Sequence, residues 1–184
     1  MRPGDRHILV GGGDGANAVL TPGPEPAAVY LPPGLLYAAA IPVAVTTVLG
    51  SCVAVCLFDP ALKAGGINHY LLPYWNGDGL PSPKYANIAL PKLVEKMLEL
   101  GCRRQNLRAK LFGGGAVFQK IGGLFGVGER NIQFAEQYLA DAGIPVVARD
   151  VGEGFTRKVI FRLHTGEALV RRLKAQESGT GNGR

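Results

Sequence analysis

A cysteine and a histidine stand seventeen positions apart in the first half of the chain, each beside an extended apolar segment. Cys52 follows Leu49-Gly50-Ser51, a small-residue stretch typical of a tight turn, and it precedes the apolar run 53–58. His69 lies within residues 67–72, which the pattern predicts as a second extended segment. A strand, a loop and a returning strand can bring two such side chains together, so we expect Cys52 and His69 to meet.

This pair of side chains suggests nucleophilic catalysis by a thiol. A thiol is a weak nucleophile until it loses its proton, and a nearby imidazole can accept that proton. A third polar group commonly orients the imidazole, and Thr46 or Thr47 could be that group. The alternative interpretation is structural, because a single Cys in an apolar context is commonly a small buried hydrophobe. The pattern alone leaves both interpretations open.

The turn before Cys52 could support the same chemistry. Gly50 is free to adopt a positive φ, which would fold the chain back far enough for Thr46 to approach Cys52. The backbone N–H groups around Ser51 and Cys52 are natural donors to an oxyanion. We therefore expect Gly50 and Ser51 to shape the nucleophile turn.

Composition restricts the class of protein. The chain has 184 residues, of which 47% are hydrophobic and 18% charged, as in a soluble globular protein with one core. The net charge of +6 suits an anionic partner, but no stripe of basic and aromatic residues predicts nucleic-acid binding. Three Cys form no disulfide framework, and no Cys/His spacing matches a zinc site. No apolar segment of membrane-spanning length and no signal-peptide core occur, so the expected compartment is a reducing cytoplasm.

The two ends of the chain differ in composition from its middle. Residues 1–26 are rich in Gly and Pro and are expected to form a flexible leader, in which only residues 7–10 could pair as a strand. Residues 175–184 are expected to form a disordered tail. Residues 27–174 are then predicted to form one domain.

The middle of the chain mixes helical and extended patterns. A helical period covers residues 85–100, although Pro91 should kink that helix or start a new one, and a second helix is predicted over 131–142. Asp59-Pro60 predicts the end of a strand, and Gly65-Gly66 predicts a break. The fold class is therefore α+β, with strands predicted at 41–47, 53–58, 67–72, 107–112, 144–148, 158–163 and 168–173.

Two stretches around the Cys and the His resemble the signature of the CheD family, the chemoreceptor glutamine deamidases of bacterial and archaeal chemotaxis. Residues 46–60 read TTVLGSCVAVCLFDP, and residues 66–73 read GINHYLLP. The likeness continues through Lys84-Tyr85-Ala86, through residues 111–116 and through 121–131, which include Gly128-Glu129-Arg130-Asn131. It covers residues 34–173.

The resemblance implies a fold, a site and a reaction. The implied fold is a layered α/β sandwich with mixed or antiparallel sheets and two main helices. By the family's spacing, the nucleophile falls on Cys52, the base on His69 and the third role on Thr46, with Thr47 as the second candidate. The implied reaction is hydrolysis of selected glutamine side-chain amides on the cytoplasmic helices of a chemoreceptor, through a thioester and without a metal or organic cofactor.

Two other functions fit the same residues. The site could cleave a glutamyl methyl ester, because both substrates would give the same thioester. The domain could instead act mainly by binding, and the partner that the resemblance implies is a CheC-type phosphatase. Trp75 and Asn76 stand in a Gly/Pro-rich loop after the His segment and are candidates for substrate contact. A basic surface would help to dock an acidic helical bundle.

Overall fold

The computed structural model describes residues 26–116 and 126–174. The strand predicted at residues 7–10 and the predicted tail lie outside the described residues. Strands, two α-helices and one short 3-10 helix follow one another along the described chain. They are β1 (Ala27–Tyr30), β2 (Leu36–Ala39), β3 (Val43–Leu49), β4 (Val53–Asp59), β5 (Ala64–Asn68), α1 (Ala86–Glu99), the 3-10 helix (Arg104–Asn106), β6 (Arg108–Gly113), α2 (Val127–Asp141), β7 (Val146–Val151), β8 (Phe155–Arg162) and β9 (Glu167–Lys174).

The strands form two mixed sheets. The four-stranded sheet has the order β1-β3-β8-β9, with β1 parallel to β3 and the other pairs antiparallel. The five-stranded sheet has the order β2-β5-β4-β6-β7, in which only β6 and β7 run parallel. Strands β3 and β4 are consecutive but lie in different sheets, so the turn that carries Cys52 connects the two layers.

Two apolar layers explain why these residues fold in this way. Alternate residues of β3, including Val45 and Leu49, pack with Ala54 and Cys56 of β4 between the two sheets. The other face of β4, with Val55, packs against the helices. Strand β4 is therefore buried on both faces, which is the reason for its continuous apolar run. The predicted α+β layered sandwich with mixed sheets and two main helices is confirmed.

The expected break at Gly65-Gly66 is wrong, because both glycines lie inside β5 and are buried. A Cβ built on Gly65 would approach the carbonyl oxygen of Leu163 to 2.6 Å, and one on Gly66 would meet a methyl carbon of Leu93 at 2.9 Å. The glycines are needed because the opposite sheet and α1 come close to this strand, not because the chain turns.

A Pro and a Gly bear on how the two helices compare with the prediction. Helix α1 continues through Pro91, which lies on its exposed side, so no new helix starts there, and the expected kink stays a prediction. Helix α2 begins at Val127, four residues before the predicted start, because Gly128 belongs to its first turn. Gly128 packs directly on Gly114, where a Cβ would come within 2.5 Å of the Gly114 carbonyl oxygen. In the described residues, no helix is long and apolar enough to cross a membrane.

Candidate active site

The Cys52 turn is held by backbone hydrogen bonds from a glycine loop that follows β6. The amide of Gly114 donates to the Cys52 carbonyl at 2.8 Å, and the amide of Gly115 donates to the Gly50 carbonyl at 2.8 Å. Gly113 and Gly114 have positive φ values of 103° and 67°. Gly50 is not among the described residues with positive φ, so the expectation for Gly50 is wrong. The unusual backbone belongs to the loop that supports the turn.

Cys52 is the one partly exposed thiol of the three. Cys56 and Cys102 are buried, whereas Cys52 is half-buried immediately before β4. Burial raises the pKa of the Cys52 thiol above its ordinary value, and its own backbone amide partly opposes that shift. A thiol with a raised pKa is protonated near neutral pH, so it needs a base to become a nucleophile.

The backbone amides of Ser51 and Cys52 were expected to be oxyanion donors, which requires that they have no other acceptor. Within the described part of the chain, their two amides donate to no backbone carbonyl. Free amide groups beside a nucleophile can stabilise the negative oxygen that forms when a carbonyl carbon is attacked.

His69 comes directly after β5 and is almost fully buried, with 1% of its surface exposed. Its neighbour Tyr70 forms an antiparallel bridge with Val53, in which both N–H···O bonds are made, at 3.1 and 3.0 Å. This bridge continues the register of β4 and β5 and places Ala54 opposite His69. The small Ala54 side chain leaves space for the imidazole on the face between the sheets.

The imidazole of His69 is oriented by Thr47. The Thr47 Oγ1 lies 2.8 Å from His69 Nδ1 and donates its proton to the Leu31 carbonyl at 2.8 Å. Because the hydroxyl proton is already used, Thr47 can only accept from the ring, so Nδ1 carries the hydrogen. The lone pair is then on Nε2, which is buried and makes no hydrogen bond within the described residues.

His69 is neutral over most of the pH range in which proteins are stable. Burial lowers its pKa to about 4, although the nearby Leu31 carbonyl acts in the opposite direction. A neutral imidazole with its Nδ1 hydrogen fixed and its Nε2 free is in the form that a general base requires.

Cys52 and His69 lie on the same face of the sheet. The register sets His69 opposite Ala54, and Cys52 is two residues before Ala54 on the same side. The backbones of such diagonal neighbours lie roughly 7–8 Å apart across the two strands. A thiol and an imidazole that point toward each other can span that distance. No hydrogen bond joins the two side chains in this structure.

The threonine that contacts His69 is Thr47 and not Thr46, the residue expected from the family's spacing. Thr47 is fully buried between the sheets with Val45 and Leu49, whereas Thr46 is half-buried and paired with Ile160 in the neighbouring strand. Adjacent residues of a strand point to opposite faces, so only one of the two threonines can contact His69.

The candidates for substrate contact lie in a loop that is bonded to itself. The Trp75 indole N–H donates to the Asp78 carbonyl at 2.8 Å, and the Asn76 amide donates to the Asp78 carboxylate at 3.0 Å. Asn76 is exposed and Trp75 is half-buried. These contacts give the loop a defined shape but leave the expected substrate role as a prediction.

One residue at the site had no expected role. Asn131 of α2 is fully buried, and its amide nitrogen donates to the Ser51 carbonyl at 3.1 Å and to the Leu71 carbonyl at 2.8 Å. The sequence offers one signal for it, a polar residue placed where the apolar face of an amphipathic helix is expected.

Comparisons with known proteins agree on one family. A family model described as CheD chemotactic sensory transduction matches residues 71–172. This match begins after His69, so it contains neither Cys52 nor His69. The chain is 45% identical over 150 residues to a probable chemoreceptor glutamine deamidase CheD of Sulfurimonas denitrificans. The aligned residues are 80% of this chain and 96% of that protein. Proteins of the same name from Trichlorobacter lovleyi and, as CheD 1, from Anaeromyxobacter dehalogenans are 45% and 46% identical, with 80% of this chain and 91% and 85% of theirs covered.

Proposed function

Because the chain belongs to the CheD family, we propose that it hydrolyses the side-chain amide of glutamine residues in a chemoreceptor and leaves glutamate. In this proposal Cys52 is the nucleophile, His69 is the general base, and Thr47 orients His69. The names of the relatives supply the substrate class, and the chemistry is argued from the residues of this chain.

The observation that carries the proposal is the state of His69. Its Nδ1 hydrogen is held by Thr47, its Nε2 lone pair has no partner, and its low pKa keeps it neutral. A histidine that served only to fill the core would be expected to satisfy both ring nitrogens. An unsatisfied Nε2 on the face shared with a partly exposed thiol supports a role in proton transfer.

The proposed reaction proceeds in two stages. His69 Nε2 accepts the Cys52 proton, and the sulfur attacks the carboxamide carbon, so that a C–S bond forms. The C–N bond then breaks, and ammonia leaves with the proton returned by His69. Water next attacks the thioester while His69 accepts one of its protons, the C–S bond breaks, and the thiol and a glutamate carboxylate are restored.

The negative oxygen formed in each stage needs hydrogen-bond donors. The amides of Ser51 and Cys52 make no other backbone hydrogen bonds within the described residues. The glycine loop keeps the Gly50 and Cys52 carbonyls occupied on the other side of the turn, so these amides are held in position before substrate arrives.

The test is an assay on the purified cytoplasmic domain of a chemoreceptor from the same organism, in water enriched in heavy oxygen. We expect ammonia release and, by peptide mass spectrometry, conversion of specific glutamines to glutamates that carry the heavy oxygen. Methanol release from a methylated receptor, measured in parallel, tests the esterase alternative. No ammonia and no labelled glutamate with folded protein would refute the proposal.

The two cysteines of β4 supply a matched control. Cys52→Ala should abolish ammonia release, because no other partly exposed thiol is present. Cys56→Ala should retain most of it, because Cys56 is fully buried and lies four residues after Cys52, on the same face of β4. Equal loss of activity in two folded variants would contradict the assignment of Cys52.

The remaining expectations depend on the partner proteins. We propose a cytoplasmic site of action, where a free thiol stays reduced and the cytoplasmic part of a receptor is accessible. A CheC-type phosphatase, if it binds the same surface as the receptor, should inhibit ammonia release in proportion to its occupancy. Binding without inhibition would indicate a separate surface for that partner.

A further inference from the structure

Asn131 joins the two chain segments that carry the proposed nucleophile and base. The two N–H groups of its side-chain amide reach the Ser51 carbonyl, one residue before Cys52, and the Leu71 carbonyl, two residues after His69. These acceptors lie 80 and 60 residues away in the chain. A single amide thus fixes both segments relative to α2 and to each other.

The Asn131 side-chain amide lies where the backbone pairing between the Cys52 segment and the His69 segment ends. The backbone pair of Val53 and Tyr70 makes both of its hydrogen bonds. The next hydrogen-bonded pair in an antiparallel register would join Ser51 to Leu72, but the Leu72 amide donates instead to the Lys84 carbonyl at 3.1 Å. The segments therefore separate just where Cys52 must stay close to His69.

Asn131 bridges the place where the ladder stops. Its side-chain amide donates to one carbonyl of each segment, and these two carbonyls take no part in the backbone pairing. The backbone of Asn131 is held by helix α2, and its carbonyl also accepts a hydrogen bond from the Tyr70 hydroxyl at 2.7 Å. Asn is a poor helix former, and this one is fully buried in a helix, which points to a requirement for its amide.

We propose that Asn131 is a positioning residue for the Cys52–His69 pair, whose two amide hydrogens set the separation of the thiol and the imidazole. This inference rests on the proposed roles of Cys52 and His69. Residues in one hydrogen-bonded network commonly show coupled mutational effects, so Asn131 and His69 should act on Cys52 together and not independently.

The experiment is a double-mutant cycle read by alkylation of Cys52 with iodoacetamide, without any glutamine substrate. Peptide mass spectrometry follows Cys52, and the buried Cys56 and Cys102 report any general loosening of the fold. We expect Asn131→Ala to slow alkylation of Cys52 about five- to tenfold when His69 is present, and by less than about twofold when His69 is replaced by Asn.

Gln137→Ala is the matched control. It removes a side-chain amide from the exposed face of the same helix, where Gln137 donates to the Asp141 carboxylate at 2.8 Å, and it leaves Asn131 and both of its acceptors in place. We expect Cys52 in this variant to be alkylated at a rate within about twofold of the parent. If Asn131→Ala does not fold, Asn131→Asp carries the same cycle, because it keeps the volume but places an oxygen against two carbonyls.

Two results would overturn the inference. One is an equal effect of the Asn131 variant with and without His69, which would mean that the residue only stabilises the fold. The other is unchanged alkylation of Cys52 in a folded variant. Deamidation is assayed separately, so a coupled cycle without ammonia release would refute the proposed reaction alone, and an uncoupled cycle with normal deamidation would refute the inference alone.

Discussion

The hydroxyl of Thr47 offers the sharpest test of how the site is built. Thr47→Val replaces the hydroxyl with a methyl group of similar size, so the packing of β3 between the sheets is retained. The change removes the hydroxyl oxygen that accepts the His69 Nδ1 hydrogen, and it removes the donor to the Leu31 carbonyl. A buried N–H without its partner is destabilised by about 1–3 kcal/mol.

That energy sets the expected loss of turnover. The lost contact fixed the Nδ1 tautomer, and the other tautomer places a hydrogen on Nε2, where the lone pair must accept the Cys52 proton. If the whole 1–3 kcal/mol falls on the chemical step, turnover decreases roughly 5- to 150-fold. Thr47→Ser keeps the hydroxyl and should retain most of the activity, although it loses a buried methyl group.

The assay is the rate of ammonia release at saturating receptor, together with the melting temperature of each variant. Thr46→Val is the control, because Thr46 is half-buried and faces away from His69. We expect Thr46→Val to remain within about twofold of the parent. Turnover of folded Thr47→Val within that same range, or a larger loss in Thr46→Val, would refute this account of the imidazole.

The remaining predictions concern protonation and the sandwich itself. Activity should fall as the pH drops through about 4, because His69 must be neutral to act as a base and its pKa is about 4; an acid limb near pH 6.5 in the rate profile would contradict this. The free energy of unfolding should also fall as the pH drops from about 6.5 to about 4, since the unfolded chain takes up a proton that folded His69 refuses. The effect reaches roughly 3 kcal/mol, and it should be absent from denaturant titrations of His69→Asn. Arg157 is fully buried and paired with Asp150 at 2.8 Å; Arg157→Met should lower the free energy of unfolding by about 1–3 kcal/mol, because Asp150 keeps Arg172 but the partly buried Phe155 carbonyl loses its donor. Arg172→Met, which removes a more exposed partner of the same carboxylate, should lose about 1 kcal/mol or less by the same titration; equal losses would show that burial does not decide the worth of these pairs.

Many of the strands and helices could be predicted from local patterns of apolar residues. The apolar run at β4 indicated a strand buried on both faces, and the structure confirms it because β4 lies between a sheet on one side and helices on the other. Composition alone could not separate a glycine that turns from a glycine that packs. Gly65 and Gly66 were expected to break a strand, but Gly65 accommodates Leu163, just after β8 and about a hundred residues away, and Gly66 accommodates Leu93 of α1.

The choice between Thr46 and Thr47 shows a different limit. A family spacing counts residues along the chain, whereas a contact with His69 depends on which face of β3 a residue occupies. In a strand, a shift of one position moves a side chain to the other face. The burial of Val45 and Leu49 on the inner face decides for Thr47, and that pattern could be read from the alternation of β3 once its ends are known.

Asn131 lay beyond such reasoning because its partners are fixed only by the complete fold. The Ser51 carbonyl becomes an acceptor only when the turn, α2 and the segment after His69 meet at one point. At that point the regular ladder ends, and side chains make the contacts instead. Thr47 bonds to the His69 imidazole, and Asn131 joins the two segments. Buried polar groups of this kind lower the free energy of the folded state less than apolar packing would, unless all are satisfied. Their concentration where Cys52 is half-exposed is what the proposed pairing of one thiol with one imidazole requires of this end of the sandwich.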